Sequence, residues 1–313
     1  MENLFQLSWT FSRPMCHEFS RRRRRPPATP ARGAIGRRIF RRVARSRARP
    51  RRRRARRAGP VARRYRDAAR DDDPRAQLKM GHRALDVGCG PGFAAFDIAD
   101  IVTRYGSVFG VDESPAFIEH ANEQAQARGI QHFAGAVGDV QELDEVLSDQ
   151  EPFDFAYARW VLCFIADPEA AVRGIANALA PGGRVAIHDY FDYSSMTLAP
   201  RRRSHDLAVE ATSRSWIQRG GDPDVGQRLP AMLERCGLRL ESVRAHLRVA
   251  RGSDTMFAWP NTWWHTFAPK LVAMGELAQS DCDELIDDLK KIENGEGFVQ
   301  CPTVYEFIAT KVG

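Results

Sequence analysis

From residue 83 onward, hydrophobic and polar positions switch repeatedly between a period of two and a period near 3.6, and each switch marks an element. Arg83-Ala84-Leu85-Asp86-Val87 is a short strand-like run that ends in Gly88-Cys89-Gly90-Pro91-Gly92. Phe93, Phe96, Ile98, Ile101 and Val102 then recur at the spacing of a helix with one buried face. Ser107-Val108-Phe109-Gly110-Val111-Asp112 reads as a second strand closing on an acid, and a helix follows from Pro115, a favoured first-turn residue, to a stop at Gly129. His132-Phe133-Ala134 begins a third strand, with Gly135-Ala136-Val137 intervening before the Gly138-Asp139-Val140 step. Phe153 to Arg159 is a fourth strand, Asp167-Pro168-Glu169 opens a helix that Pro181-Gly182-Gly183 terminates, and Arg184 to Tyr190 is a fifth strand. A helix over Leu229–Cys236, capped by Gly237, leads into a sixth strand over Leu238–Val249, and Thr303–Thr310 forms the last.

Strands and helices in alternation predict a parallel sheet covered on both faces, a doubly wound α/β fold. Two segments, about 191–226 and 252–302, fall outside the minimal alternation. They leave the carboxyl edge of the sheet or the edge beside it, where such folds bind ligands, so they read as a mostly helical lid. The second segment carries Trp259, Trp263, Trp264, His265 and Phe267.

Charge changes the picture at one end only. The 313 residues carry a formal +7, but residues 1–75 hold 25 Arg and no Lys against six acids, a net of +19, which leaves −12 on the rest. The Arg/Ala/Pro tract repels itself and buries little, so residues 1–66 are expected to form a disordered basic arm and residues 67–313 the folded domain. A polybasic arm could bind nucleic acid or anionic lipid, serve as a transit peptide, or be dispensable. The acidic body argues against a nucleic-acid groove. Six cysteines form no C-x-x-C pair and no His cluster has zinc spacing, so no metal is expected and a reducing, cytoplasmic compartment is the economical reading. No run of eighteen apolar residues is long enough to span a bilayer.

The glycine loop carries the chemistry. A strand, a glycine-rich turn and a helix N-terminus form a ligand cradle at the carboxyl edge of a parallel sheet, and Asp112 stands where an acid can accept both hydroxyls of an adenosyl ribose. A dinucleotide fingerprint, G-x-G-x-x-G, would need glycine at position 93, which is Phe93. The loop is G-x-G-x-G with an internal proline, which favours the sulfonium cofactor S-adenosylmethionine, with no pyrophosphate to neutralise, over NAD.

Leu85 to Gly92 resembles the first motif of the class I S-adenosylmethionine-dependent methyltransferases. The likeness continues in order through Gly110–Ser114, Gly138-Asp139-Val140, Phe153–Arg159, Asp167-Pro168 and Leu179–Val185, about 110 residues, with the ubiquinone/menaquinone-type and related natural-product branch as the nearest pattern. The resemblance implies a Rossmann-like, mostly parallel seven-stranded sheet with an antiparallel closing strand. It also implies a cofactor site formed by Asp86, Gly88, Cys89, Gly90, Gly92, Asp112, Glu113, Asp139, Val140 and Arg159. Asp112 and Glu113 sit at the ribose end of the second strand, and Asp139 corresponds to the acid that contacts the adenine amino group.

Methyl transfer from a sulfonium is an in-line displacement, so alignment and water exclusion suffice and a base is optional. If the acceptor is a phenol, enol or amine, His188, Asp189 and Tyr190 at the end of strand five, and His265 from the lid, are the candidate bases. The alternatives are structural: a strand-end hydrogen bond for Asp189 and a packed imidazole for His188. Arg159 could close the site, bind an acidic substrate, or pair with a carboxylate. The tryptophan cluster suits a flat or apolar small-molecule acceptor, aromatic or isoprenoid, though lid packing alone also explains it. The strand-four exit, Tyr157-Ala158-Arg159-Trp160, lacks the [Asn/Asp]-Pro-Pro-aromatic motif that holds a flipped base. A nucleic-acid or protein methyltransferase using the basic arm, a non-catalytic cofactor-binding protein and an NAD-dependent oxidoreductase are the competing readings.

Overall fold

The computed structural model describes residues 78–313. The expected arm over 1–66, and the first residues of the expected domain, lie outside them. The elements run β1 (Arg83–Val87), α1 (Phe93–Val102), β2 (Ser107–Asp112), α2 (Pro115–Arg128), β3 (Phe133–Val137), a single turn α3 (Leu143–Val146), β4 (Phe153–Arg159), α4 (Pro168–Ala178) and β5 (Leu179–Asp192). After these come β6 (Thr197–Ala199), α5 (Arg203–Ile217), α6 (Leu229–Arg235), β7 (Leu238–His246), β8 (Val249–Arg251), α7 (Ala258–Ala273), α8 (Gln279–Glu293), β9 (Phe298–Gln300) and β10 (Thr303–Lys311).

Seven strands form one sheet in the order β3-β2-β1-β4-β5-β10-β7. The first five pair in parallel, and β10 lies antiparallel between β5 and β7. This is the doubly wound α/β arrangement expected. Alternation along the strands gives the sheet two different faces. Ala84, Val108, Phe155, Ala186 and Ile308 face α1 and α2, where they meet Phe96, Ile98 and Ala121. Leu85, Val87, Val111, Ala156, Val185, Ile187 and Phe307 face the other way, toward Val172 and Ile175 of α4 and Met232 of α6. Strands buried on both faces need near-continuous apolar runs, which these sequences supply.

The helix ends follow local chemistry. The Ser114 hydroxyl accepts the Phe117 N–H and Pro115 fills the first turn of α2, while Gly129 ends it at φ 72°. Asp167 caps α4 through the Ala170 N–H. Within α1, Phe93 departs from the expected buried stripe and stands 44% exposed.

Three boundaries differ from expectation. Helix α4 stops at Ala178, before Pro181-Gly182-Gly183, because Leu179 already pairs with Phe153. The register shifts between Phe153 and Phe155, so the Pro-Gly-Gly segment is absorbed into β5 as an irregularity. Gly135-Ala136-Val137 does not intervene after the third strand: it is the strand, pairing with Gly110-Val111-Asp112 and running straight into Gly138. The expected sixth strand is broken after His246, and Val249–Arg251 joins a separate three-stranded sheet, β6-β9-β8.

That small sheet ties the two inserted segments together. Their helices α5, α7 and α8 pack on one another, burying Trp216, Trp264, Phe267, Leu285 and Leu289, and this core is continuous with Tyr190 near the end of β5 and Tyr193 just beyond it. No helix among the described residues is long and apolar enough to cross a membrane.

Phe307, 1% exposed on the central antiparallel strand, leaves a cavity when truncated. Phe307→Ala should cost about 3–5 kcal/mol in urea unfolding. Asp167→Ala, which removes only a cap, should cost about 1 kcal/mol. Equal losses would contradict this division between sheet core and helix end.

Candidate functional site

The carboxyl ends of β1 and β2 converge on one backbone loop. The Cys89 N–H donates to the Val111 carbonyl at 3.0 Å, which fixes the loop against β2. The Asp112 carboxylate then accepts the Gly90 N–H at 2.8 Å on one oxygen and the Ser114 N–H at 3.0 Å on the other. Burial pushes this carboxyl above its ordinary range, and the two backbone hydrogen bonds oppose the shift.

Two glycines shape the loop for different reasons. At Gly88 (φ 65°) a Cβ would sit 2.3 Å from Val161, so packing forbids a side chain. At Gly90 (φ 53°) a Cβ would meet nothing within 4 Å, so its surface is open to a ligand. Gly92 initiates α1. Cys89 is buried with its thiol against Gly110, and burial pushes that thiol well up, so it is a packed loop residue and no nucleophile.

Beneath the loop, Asp86 is 2% exposed and its Oδ2 accepts no hydrogen bond. Burial pushes this carboxyl up to about 7, the Arg159 guanidinium pulls it back, and neighbouring Asp112 adds to the rise. A buried acid with a bare oxygen suits a cationic group on a ligand.

Asp139 follows β3, where the Gly138 N–H donates to the Asp112 carbonyl. Its carboxylate accepts from the Gln141 backbone N–H at 2.9 Å and from the Gln141 side-chain amide at 3.0 and 3.1 Å. The Gln141 carbonyl oxygen in turn accepts the Asp167 N–H. Val140 is buried in the core beside it, and Glu113 is exposed. The structure thus gathers Asp86, Gly88, Cys89, Gly90, Gly92, Asp112 and Arg159 around the ends of β1, β2 and β4, with Asp139 and Val140 reached through the end of β3.

The candidate bases separate. The Asp189 carboxylate is fully committed: Oδ2 accepts the Leu162 and Cys163 N–H groups and Oδ1 accepts that of Tyr190. Burial pushes it up to about 6 against these hydrogen bonds. Its geometry is that of a brace for the turn after β4. His188, one residue earlier, points to the opposite sheet face, with Nε2 2.8 Å from Glu306 Oε2 and Nδ1 3.4 Å from the Tyr157 hydroxyl. His265 lies on the exposed side of α7 with Nδ1 on the Asn261 carbonyl, apart from the other two.

One residue that sequence reasoning passed over marks the floor of the cap. Trp160, immediately after β4, has φ 53°, a left-handed backbone uncommon for a bulky side chain. Its N–H donates to the His188 carbonyl. Its indole stacks at 6.1 Å on Tyr190 and at 5.3 Å on Trp259 of α7, so three aromatic rings line the junction between sheet edge and cap. The signal was a tryptophan at a strand exit, but the strand pattern cannot show its dihedral angle. The expected cluster is thereby divided: Trp259 belongs to this junction, whereas Trp263 and Trp264 are packed in the cap interior.

Comparison with known proteins accords with this geometry. Residues 78–217 match a family described as a methyltransferase domain. The chain is 33% identical over 106 residues to an aklanonic acid methyltransferase of Streptomyces, covering 34% of this chain and 47% of that protein. It is 32% identical over 162 residues to a trans-aconitate 2-methyltransferase of Methylobacterium radiotolerans, covering 51% and 55%. It is 33% identical over 109 residues to a ubiquinone biosynthesis O-methyltransferase of Xylella fastidiosa, covering 34% and 41%. The chain spans about half the length of the curated relatives it matches. Among solved structures, a Galdieria sulphuraria protein described as a candidate sarcosine dimethylglycine methyltransferase superposes with TM-score 0.51 at 14% identity, covering 80% of this chain and 84% of that one. The YcgJ protein of Bacillus subtilis gives 0.50 at 18%, covering 76% and 95%, and both show the fold. Residues 78–217 thus resemble a methyltransferase domain, on the fold that these solved structures share.

Because the folded-state value of Asp86 lies above its ordinary 3.8, the stability it contributes is present below that value and is lost as pH rises through about 7. The stability of the unliganded protein relative to Asp86→Asn should therefore fall across that window in chemical denaturation. Parallel pH profiles would show that Asp86 does not titrate as a buried acid.

Proposed function

We propose that the chain transfers a methyl group from S-adenosylmethionine to a small-molecule acceptor. The observation that carries this reading is the cradle at the ends of β1 and β2. It combines an open glycine surface at Gly90, a carboxylate at Asp112 locked by two backbone N–H groups, and a buried acid at Asp86 with one bare oxygen. These residues fit the cofactor. Asp112 offers acceptor oxygens to the ribose hydroxyls, Asp86 offers negative charge to the methionine ammonium, and Asp139 with Val140 borders the adenine side. Arg159, which lowers the Asp86 carboxyl electrostatically, helps keep it ionised.

When bound, the sulfonium supplies an activated methyl carbon for in-line displacement. The chain's own contribution is alignment and exclusion of water. Trp160, Tyr190 and Trp259 seat a flat acceptor at the junction below the cap, and the inserted segments 191–226 and 252–302 act as the lid. Asp189 is a positioning residue that holds the turn Leu162–Phe164 under this junction. Relatives named for aklanonic acid, trans-aconitate and ubiquinone biosynthesis support a small-molecule acceptor, and the aromatic junction favours an aromatic or isoprenoid one. The described cysteines are unpaired, in keeping with a reducing cytoplasm.

Calorimetric titration tests the reading. S-adenosylmethionine and S-adenosylhomocysteine should bind, and NAD should not. Asp112→Ala should weaken binding about 10- to 100-fold, as expected for losing hydrogen bonds of about 1.5–3 kcal/mol to a charged acceptor. Unchanged affinity in that variant, or a preference for NAD, would overturn the assignment.

Gly90→Ala separates cradle from fold. Its Cβ meets no protein atom, so the variant should fold with only the roughly 1–2 kcal/mol left-handed penalty while losing cofactor affinity. A variant that binds normally would place the ligand elsewhere.

A further inference from the structure

On the sheet face that carries Asp86, β5, β10 and β7 place polar side chains beside the apolar Ala186 and Ile308. Glu306 of β10 stands directly opposite His188 of β5 in the antiparallel register. Val304 stands opposite His246 of β7, and positions 304 and 306 share one face, so His246 points toward the same spot from the other side. One nitrogen from each histidine and one oxygen of Glu306 lie within 4.8 Å of one another. His188 Nε2 is 2.8 Å and His246 Nε2 3.9 Å from the same oxygen, Glu306 Oε2.

Two features of this group point to a missing partner. Glu306 is 3% exposed, yet its Oε1 accepts no hydrogen bond. His246 Nε2 is likewise buried and has no hydrogen-bond partner. Leaving two such atoms bare is costly, and one hydrogen bond between His188 and Glu306 satisfies neither of them. Around them the support is ordered. The Tyr157 hydroxyl meets His188 Nδ1 at 3.4 Å and the two rings pack edge to face, which aims Nε2 at Glu306.

We propose that His188, His246 and Glu306 bind one divalent transition-metal ion, with zinc the best match. Two imidazole nitrogens and one carboxylate oxygen, with a fourth position open to water, is a zinc donor set, and magnesium or calcium would demand oxygens throughout. Donors about 2.0–2.1 Å from a tetrahedral ion lie roughly 3.3 Å apart. The separations of 2.8 and 3.9 Å fall on either side of that value, so small side-chain rotations suffice. In the metal-bound state the proton between His188 and Glu306 leaves, Nε2 becomes the ligand, and Nδ1–H donates to Tyr157, which then holds the ring from behind. The ion occupies a different group of strands from the glycine cradle, and its binding is read without S-adenosylmethionine, so this inference stands or falls apart from the proposed methyl transfer.

The test is calorimetric titration of the chelator-treated full chain with Zn²⁺ and, separately, Mg²⁺, alongside thermal melts. One Zn²⁺ per chain should bind and raise the melting temperature, and Mg²⁺ should do neither. Glu306→Gln, which keeps the shape of the side chain, and His246→Ala, at a half-buried position, should each abolish both effects. Tyr157→Phe should weaken binding about 10-fold. If Glu306→Gln fails to fold, His246→Ala carries the test. No stoichiometric Zn²⁺ in the native chain, or the same binding in the folded variants, would overturn the site and leave His188 and Glu306 as a structural pair.

Discussion

The Asp112 carboxylate makes two backbone hydrogen bonds, and the cofactor end of the molecule is built on them. By accepting the Gly90 and Ser114 N–H groups together, it fixes the loop after β1 to the start of α2. The glycine loop can then stay open without collapsing, and α1 and α2 can start side by side from the same edge of the sheet. An uncharged side chain there would hold neither segment as firmly, because hydrogen bonds to an ionised acceptor are about twice as strong as neutral ones. The cost is a carboxylate taken partly out of water, visible in its raised proton affinity. Asp86, deeper and less well paired, bears more of the same burden. Two acids disfavoured by burial give a cationic, hydroxyl-rich ligand an advantage before any contact specific to its shape.

Legibility in the sequence followed the range of the interactions. The glycine loop and the Pro115 and Asp167 helix starts were readable, because each is determined by residues within a few positions of one another. The boundaries that moved were those decided by partners far along the chain. Leu179 is extended because Phe153 pairs with it, and Val249–Arg251 leaves the main sheet because Phe298–Gln300 draws it into another. The site divides in the same way. Asp189 and His188 are adjacent in sequence but lie on opposite faces of β5, so one braces a turn and the other enters a buried polar group. Glu306 could not be connected with His188 by any spacing rule, since 118 positions separate them and only the strand register brings them together.

The inserted segments are both attached to the main sheet and distinct from it. Their own helices and three-stranded sheet bury a tryptophan-rich core that meets the sheet edge through Trp216 on Tyr190 and Tyr193 and through the stack of Tyr190, Trp160 and Trp259. Stacked rings tolerate sliding more readily than interlocked aliphatic side chains, since their attraction is broad in offset. The left-handed backbone of Trp160 presents a flat surface at one of the places where the inserted segments meet the sheet.

The position of β10 has a consequence for how the molecule comes into being. It follows every other strand among the described residues, yet it lies between β5 and β7, with no contact between those two strands in the order of the sheet. On the ribosome, β5 and β7 must each wait with an unpaired edge until residues 303–311 have emerged, and long-range closure of this kind is slow. Closure of the sheet is thus the insertion of a wedge. Until it arrives the nascent chain exposes two adhesive edges, a period in which chaperone capture would matter most.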